Sequence, residues 1–449
     1  MIVNCPQCQS RVEVEAGEIH SCECGAKFSV DEAGELHPIE PNVNTAKADG
    51  DTPTVAEVGV PESVEAHLPE RKRSKIGQWI WCILIASVAI IVLISYLTPG
   101  SFIRLLLARL GDTQSQLFLG WNYYYGEGGV AKDYDKAVYW YRKAAESGNV
   151  RAQHGLALCY DFGRGVAEDH EDAAYWYRRS AEQGYFKAQL ALGFCYYNGD
   201  GVPKDLKKAA HWWQKAAEQG YADAQFNLGL CYENGDGVPK DLKKAVYWYG
   251  KAAEQGYAPA QWRLGGCYDF GKGVTKDQKE AVKWYRKAAE QGYAPAQWYL
   301  GGCYDLGKGV TKDQKEAVKW YRKAAEQGYA DAQFFLGACY EGGEGVAKDY
   351  EKAIYWYRKA AEQDLKEAQF HLGLCYHNGD GVPKDLEKAA YWWQKAAEQG
   401  YADAQFNLGL CYENGDGVPK DLKKAAYWYG KAAEQGHPEA QKALKELGK

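Results

Sequence analysis

Residues Tyr221 to Gly256 read YADAQFNLGLCYENGDGVPKDLKKAVYWYGKAAEQG, and closely similar 36-residue units follow one another along most of the 449-residue chain. One tryptophan occupies the same place in each of nine units and so gives the period. These residues are Trp140, Trp176, Trp212, Trp248, Trp284, Trp320, Trp356, Trp392 and Trp428. Repetition at such a period is the mark of stacked repeat architectures. It also explains why 50 glycines and 35 tyrosines accompany a single methionine.

The first half of the unit predicts an amphipathic helix. Ala224, Leu228, Cys231 and Tyr232 recur at the spacing that places side chains on one helical stripe. Residues 234–237, NGDG, predict a turn, because their two glycines adopt positive φ without steric cost. The turn therefore separates this helix from a second one.

The second half predicts a helix that begins at the N-cap Asp241 and ends at Gly256. Its predicted inner stripe contains Ala245, Trp248, Tyr249 and Ala252. Gly229 marks a place where helices approach closely. A lone helix-turn-helix hairpin cannot bury these aromatic side chains, so neighbouring hairpins must stack. We expect an all-α protein, an α/α superhelical solenoid of about nine repeats.

The unit resembles a known repeat. Its pattern, A-x-A-Q-x-x-L-G-x-x-Y-x-x-G-x-G-V-x-x-D-x-x-K-A-x-x-W-x-x-K-A-A-E-Q-G, is similar to the Sel-one-like repeat, a relative of the tetratricopeptide repeat, over residues 112–441. The resemblance implies a superhelix that binds other proteins and assembles complexes, often at bacterial envelopes. The first copy departs from the pattern by an inserted Gly129 and by Asn122 in place of cysteine, and residues 437–449 begin a tenth copy; both ends resemble caps.

Near-identical copies favour a scaffold over an enzyme. Residues 257–292 and 293–328 differ only at Arg263 against Tyr299 and at Phe270 against Leu306. Such duplication lengthens a binding surface, whereas it would multiply a unique catalytic site. The chain contains no nucleophile, zinc-protease or phosphate-loop motif, and its nine histidines show no metal or triad spacing. We therefore expect no catalytic residues.

Four cysteines near the N-terminus predict a metal site. Residues 1–37 combine short alternating runs typical of strands with Cys5, Cys8, Cys22 and Cys24. This arrangement resembles the zinc-ribbon found at the N-terminus of many bacterial membrane proteins, which implies one structural zinc ion held by four thiolates. Only Glu23 separates the second pair, which either strains this part of the zinc site or gives one ligand position to His20; the alternative is a degenerate or metal-free module.

Residues 38–75 predict a disordered acidic linker that ends in a basic flank. Residues 1–70 contain 14 acidic and 3 basic side chains, and the whole chain carries a net charge of −6. Because a phosphate backbone attracts basic surfaces and repels acidic ones, we expect no nucleic-acid partner.

An uncharged stretch, residues 76–97, predicts a single transmembrane helix in the lipid bilayer. Trp79, Trp81 and Tyr96 stand at its ends, where interfacial aromatic side chains are common. Four basic residues lie in 71–75, against Arg104 and Arg109 on the other side. This charge bias predicts a bacterial inner-membrane protein with a cytoplasmic N-terminus and with residues 98–449 outside.

Residues 98–111 form an amphipathic connector that lies either on the membrane surface or over the first repeat of the array, residues 112–449.

Each later repeat contains one further cysteine. We expect these cysteines to be buried small apolar residues, because a disulfide needs Cα atoms within about 7 Å and equivalent helices pack farther apart. They are Cys159, Cys195, Cys231, Cys267, Cys303, Cys339, Cys375 and Cys411.

The leading functional hypothesis is a membrane-anchored scaffold for other proteins. The alternative, suggested by the many aromatic residues, is binding of cell-wall glycan, for which only aromatics that face water are suitable; a hydrolase ranks third.

One first-helix position varies among otherwise similar copies: Ala191, Asn227, Arg263, Tyr299, Phe335, His371 and Asn407. This variation is either drift on a solvated face or partner specificity. The partner-binding hypothesis rests on Arg263, Tyr299, Phe335 and His371, because Tyr and Arg are favoured interface anchors.

We expect a fragment of residues 1–40 to bind about one Zn²⁺ and to unfold in chelator, because structural zinc supplies most of the folding free energy of so small a module. Elemental analysis of the reduced fragment checks the metal content. A fragment without zinc would disprove the metal site.

Overall fold

A computed structural model describes five short segments in the N-terminal part of the chain and then residues 102–448 continuously. The chain divides into two units, residues 1–79 and 80–449.

The described segments of the first unit are antiparallel strands. They are β1 (Ile2–Asn4), β2 (Arg11–Glu13), β3 (Ile19–Ser21), β4 (Lys27–Val30) and β5 (Leu36–Pro38). Strand β1 pairs with β2, whereas β4 lies between β3 and β5 in a second sheet. The four cysteines proposed as zinc ligands lie outside the described residues.

Helix α1 and nine helical hairpins account for most of the second unit. The bounds are α1 (Phe102–Arg109), α2 (Thr113–Tyr125), α3 (Tyr134–Glu146), α4 (Val150–Asp161), α5 (His170–Glu182), α6 (Phe186–Asn198), α7 (Leu206–Glu218), α8 (Ala222–Asn234), α9 (Leu242–Glu254), α10 (Ala258–Phe270), α11 (Gln278–Glu290), α12 (Ala294–Leu306), α13 (Gln314–Glu326), α14 (Ala330–Gly342), α15 (Tyr350–Ala361), α16 (Lys366–Asn378), α17 (Leu386–Glu398), α18 (Ala402–Asn414), α19 (Leu422–Glu434) and α20 (Pro438–Leu447). Even-numbered helices from α2 to α18 are the first helices of the repeats, and odd-numbered helices from α3 to α19 are the second. Consecutive helices pack against each other throughout, which confirms a solenoid of nine hairpins.

Local capping fixes each hairpin. Helix α8 ends where Gly235, at φ 89°, donates its backbone N–H to the carbonyl oxygen of Cys231 at 2.8 Å. Helix α9 begins where the Asp241 carboxylate accepts the backbone N–H of Lys244 at 3.0 Å. The predicted N-cap is therefore confirmed, and it satisfies a donor that the helix itself leaves free.

The core of a repeat consists of alanine, leucine and one large aromatic side chain. Leu228 and Tyr249 are fully buried. A Cβ atom at Gly229 would lie 2.5 Å from the ring of Tyr249, so only glycine allows the two helices to approach this closely.

The predicted inner stripes need a correction, because Tyr232 and Trp248 are only partly buried. Tyr249 points into its own hairpin, and its neighbour Trp248 lies about 100° further round the helix. Trp248 therefore packs at the edge of the core that alanines of the preceding repeat form with Leu228. Periodicity alone did not distinguish the two adjacent aromatic positions.

A buried glutamine joins three helices in each repeat. The Nε2 atom of Gln225 on α8 donates to the carbonyl oxygen of Ala217, in the second helix of the preceding repeat, at 3.1 Å. Its Oε1 atom accepts from the Nε2 of Gln255, at the end of α9, at 2.7 Å. The same pair of bonds recurs at Gln153, Gln189, Gln261, Gln297, Gln333, Gln369 and Gln405. We call this series the glutamine ladder.

Helix α1 covers the N-terminal end of the ladder. Gln116 of the first repeat donates to the carbonyl oxygen of Ala108 on α1 at 2.9 Å, and Ala108 itself is buried against Leu119. The amphipathic connector therefore packs on the first repeat, one of its two predicted positions. Ser147 replaces the second glutamine here, and the buried Oε1 of Gln116 lacks a partner among the described residues.

Within the described part of the chain, no helix is long and apolar enough to cross a membrane. The stretch predicted as a transmembrane helix, residues 76–97, lies outside that part.

We expect Gln297→Ala to lower the free energy of unfolding by about 1–3 kcal/mol, because it leaves the buried carbonyl oxygen of Ala289 without its donor. Chemical denaturation of the full chain checks this value. The matched control is Gln214→Ala, whose side chain is exposed and bonds only to Glu218, so its effect should stay within about 0.5 kcal/mol. Equal losses in both variants would contradict a structural role for the ladder.

Candidate partner-binding face

The four residues proposed to bind a partner lie in equivalent places on α10, α12, α14 and α16. All four side chains are partly buried, and 39% of the Arg263 side chain and 31% of His371 are exposed. Aromatic contacts link consecutive first helices, as between Trp298 on α12 and Phe335 on α14. We call the solvent-facing surface of the first helices the first-helix face.

Two of the four side chains pair with a carboxylate of the preceding repeat. The Arg263 guanidinium lies 3.7 Å from the Glu233 carboxylate, which also accepts the buried Tyr249 hydroxyl at 2.6 Å. His371 lies 3.6 Å from Glu341 in the same arrangement. The neighbouring His371 imidazole lowers the pKa of the Glu341 carboxyl, against the opposing effect of burial. Each contact crosses from one repeat to the next.

The other two side chains stack on a buried tyrosine ring. Tyr299 lies over Tyr285 with ring centroids 5.2 Å apart and planes 25° apart. Phe335 lies over Tyr321 at 5.5 Å and 22°. Burial, the larger effect, and the charge of Asp269 raise the pKa of the Tyr299 hydroxyl.

At these four positions the side chain differs with the length of the acidic residue in the preceding repeat. The basic residues Arg263 and His371 follow repeats that supply glutamate. The aromatic residues Tyr299 and Phe335 follow repeats that supply the shorter aspartate. These side chains thus contribute to packing between repeats as well as to the exposed surface.

The second and third repeats carry small residues at the same position. Gly155 takes it on α4, where a Cβ atom would lie 3.0 Å from the Tyr141 ring, and Ala191 takes it on α6. A cavity of about 430 Å³ opens beside Ala191, with Leu158 and Phe194 among its lining residues. Sequence reasoning recorded the alanine but did not find this cavity, because its walls come from two different repeats.

Charge changes sign along the first-helix face. The second residue of the first helix is basic in the N-terminal repeats, at Arg151 and Lys187. Acidic residues stand there farther along, namely Asp223, Asp331, Glu367 and Asp403. Burial, and to a smaller extent the charge of Glu367, raises the pKa of Asp331.

The second helices present a separate row of tyrosines. Each residue stands directly before the repeat tryptophan and is about half exposed, as with Tyr247 at 56%. The row comprises Tyr139, Tyr175, Tyr247, Tyr355, Tyr391 and Tyr427. The repeat tryptophans themselves are buried or partly buried, so these tyrosines are the water-facing aromatics that the glycan hypothesis needs.

The eight repeat cysteines are buried and free, as predicted. Burial, the largest effect in every case, raises the pKa of their thiols to about 11 or 12. At neutral pH they are therefore protonated apolar residues rather than nucleophiles.

Across the described residues, no cluster of three or more His, Cys, Asp or Glu side chains has the arrangement of a metal site.

Comparison with protein families now assigns the architecture. The Sel1 repeat matches nine consecutive segments, 113–149, 150–185, 186–221, 222–257, 258–293, 294–329, 330–365, 366–401 and 402–437. The chain belongs to the Sel1 repeat family. Sel1 repeats generally form non-catalytic helical scaffolds that bind other proteins.

Two solved structures are similar to this Sel1 repeat array. A Sel1 repeat protein from Oxalobacter formigenes is 39% identical, with a TM-score of 0.56, over 68% of this chain and 89% of its own. The protein c5321, a protective antigen of uropathogenic Escherichia coli strains with an SLR fold, is 36% identical, with a TM-score of 0.51, over 76% of this chain and 81% of its own. A search of curated proteins finds no match.

We expect the wild-type chain to lose more stability than His154→Phe as the pH falls from about 6.5 to about 4. Burial, with a smaller contribution from Lys187, lowers the pKa of His154 from 6.5 to about 4, so the unfolded chain binds a proton that the folded chain refuses in this range. The His154 contribution is thus complete above pH 6.5 and lost as the pH falls, by at most about 3 kcal/mol.

Denaturation midpoints at several pH values check this difference. Phenylalanine occupies the equivalent place in four other repeats, so the variant should fold. The control is His211→Tyr, an exposed position where other repeats have tyrosine. Parallel pH curves for wild type and His154→Phe would contradict the assignment.

Proposed function

We propose that this Sel1 repeat protein is a membrane-anchored scaffold that gathers partner proteins along its first-helix face. One observation carries the proposal. Repeats 257–292 and 293–328 are almost identical, yet Arg263 and Tyr299 place different side chains on the same face. A series of unlike, partly exposed side chains on a regular backbone gives a surface whose order of side chains a protein partner can recognise.

Membrane anchoring is the second part of the proposal. Residues 76–97 are uncharged and follow a basic flank, which favours an inner-membrane helix with the N-terminus in the cytoplasm and the array outside. Helix α1, which follows this stretch, exposes 49% of Leu106 and 42% of Leu107, and Leu110 directly after it is 75% exposed. An apolar outer surface is suited to contact with a membrane interface.

The N-terminal module completes the proposal. We assign Cys5, Cys8, Cys22 and Cys24 to one structural zinc ion, because two closely spaced pairs of thiolates suit tetrahedral zinc. A cytoplasmic position agrees with this assignment, since cytosolic thiols stay reduced.

Cell-wall glycan is the second candidate ligand. The exposed tyrosines of the second helices, such as Tyr247 and Tyr355, favour it, because aromatic faces stack on sugar rings. These tyrosines lie on other helices than the first-helix face, so the two functions can be separated by substitution.

The test exchanges two side chains between equivalent positions, so that the composition of the first-helix face stays the same and only the order changes. The double variant Arg263→Tyr with Tyr299→Arg exchanges the variable residues of two repeats that otherwise differ at only one pair of positions, so the fold should persist. Crosslinking in intact spheroplasts with a membrane-impermeant reagent, followed by mass spectrometry, identifies the captured proteins. We expect the exchange to reduce partner capture at least about tenfold, the size of a typical hot-spot effect.

The matched control is Phe270→Leu with Leu306→Phe, which exchanges the other differing pair at two exposed positions. This control should capture partners as the wild type does. Full capture by the Arg263/Tyr299 exchange would place the contact elsewhere. Capture that needs a membrane-permeant reagent would place the array in the cytoplasm, and retention on insoluble glycan that is lost with the second-helix tyrosines would favour the glycan function.

A further inference from the structure

The cavity beside Ala191 is a vacancy in a series of filled positions. At the equivalent position, Tyr299 and Phe335 each place a ring over the buried tyrosine of the preceding hairpin. Ala191 has only a methyl group, and the space that a longer side chain would take is part of a cavity of about 430 Å³. This volume lies within the range of ligand pockets, about 300–1,000 Å³. We call this cavity the Ala191 slot.

The walls of the Ala191 slot suit an aromatic ring. Leu158 of α4 and Leu190 of α6 are partly buried on its sides, and Phe194 exposes 41% of its surface at the rim. Tyr177 lies at its floor. The preceding repeat supplies Asp161, and in this chain the two other repeats with aspartate at that place are followed by a ring rather than a basic residue.

Two carboxylates, Asp161 and Asp200, line the slot. Asp161 already accepts the Tyr177 hydroxyl at 3.1 Å, and the His170 imidazole lies 3.2 Å from its other oxygen. Asp200 accepts the amide of Asn198 at 2.9 Å. The acidic groups of the slot therefore have partners of their own.

The basic residue that lines the slot, Lys187, has no such partner in the described part of the chain. Lys187 is exposed and lines the slot, and Arg151 takes the same place on the preceding first helix. The salt bridges found among the described residues use neither side chain. Elsewhere in the array this position is glutamine, proline or an acidic residue, so an unpaired positive charge next to the slot is specific to these repeats.

We propose that the Ala191 slot receives a phenylalanine or tyrosine side chain of a partner protein, with an adjoining aspartate or glutamate of that partner opposite Lys187. The ring takes the place that Tyr299 fills in its own repeat, and the carboxylate neutralises the free ammonium group. This inference rests on the proposed function and names the chemistry of one partner contact.

The test measures peptide binding to the purified full-length chain by calorimetry or by ligand-observed NMR, at up to millimolar peptide. The probes are acetyl-GGDFGG-amide, its alanine analogue acetyl-GGDAGG-amide and its basic analogue acetyl-GGKFGG-amide. We expect the first to bind at least about tenfold more tightly than the alanine analogue, because the ring supplies the buried apolar area. It should also bind more tightly than the basic analogue, with a preference that falls as salt is added.

Three variants locate the site, and each takes its new residue from another copy of the same repeat. Ala191→Tyr fills the slot as Tyr299 does and should weaken binding of the Asp-Phe peptide at least about tenfold. Asn227→Tyr, the same change one repeat farther along and outside the cavity lining, should leave binding unchanged. Lys187→Asp should abolish or reverse the preference for the acidic over the basic peptide while the dependence on the ring remains.

Thermal unfolding confirms that each variant is folded, and the peptide preferences of the wild type and of Lys187→Asp remain decisive if Ala191→Tyr does not fold. No binding of the Asp-Phe peptide to the wild-type chain, or full binding by folded Ala191→Tyr, overturns the proposal. An unchanged charge preference in Lys187→Asp also overturns it. The two proposals can fail separately, because the Arg263/Tyr299 exchange leaves the slot intact. If the wild-type chain captures partners but does not bind the Asp-Phe peptide, this inference alone is rejected. If it binds the peptide but captures no partner, the scaffold function alone is rejected.

Discussion

The hydrogen bonds of the glutamine ladder are the constraint on which the array depends. A glutamine such as Gln225 reaches back to the carbonyl of Ala217 and accepts from Gln255, so a single buried side chain fixes the second helix of one repeat to both helices of the next. Apolar packing between alanine-rich helices is not directional, whereas an amide that uses donor and acceptor together permits one register. The superhelix is therefore built from identical joints, and each repeat is placed by its neighbour.

A fixed backbone leaves one first-helix position free to vary. Side chains there differ in charge and shape, from Ala191 to Arg263 and Tyr299, while the leucine and glycine that follow them stay the same. The basic and aromatic side chains at this position are nevertheless tied to the preceding repeat, by a pair with a glutamate such as Glu233 or by stacking on a tyrosine such as Tyr285. The proposed recognition surface is thus part of the packing between repeats, and a change in specificity also changes the contact between neighbours. This coupling explains why exchanges of residues are better probes than deletions.

The second helices divide their aromatic residues between two tasks. Tyr249 is fully buried in its hairpin, Trp248 covers the joint with the preceding repeat, and Tyr247 faces water. Three consecutive aromatic residues therefore serve the core, the joint and the surface. The exposed tyrosine row and the first-helix face are separate surfaces, and a scaffold with both has room for two kinds of ligand.

The sequence by itself determined the period, the two helices of each repeat, the N-cap at Asp241, the turn glycines and the burial of cysteines such as Cys231, because these features follow from local propensity and from spacing within one unit. Only the tertiary structure decided which of two adjacent aromatic residues enters the core, what Gln225 bonds to, and that Ala191 borders a cavity while Tyr299 fills its own place. The physical reason is that these outcomes depend on atoms in neighbouring helices and repeats. The distance between Tyr299 and Asp269 or between Gln225 and Ala217 is set by how whole hairpins stack, and the spacing within one unit does not contain it.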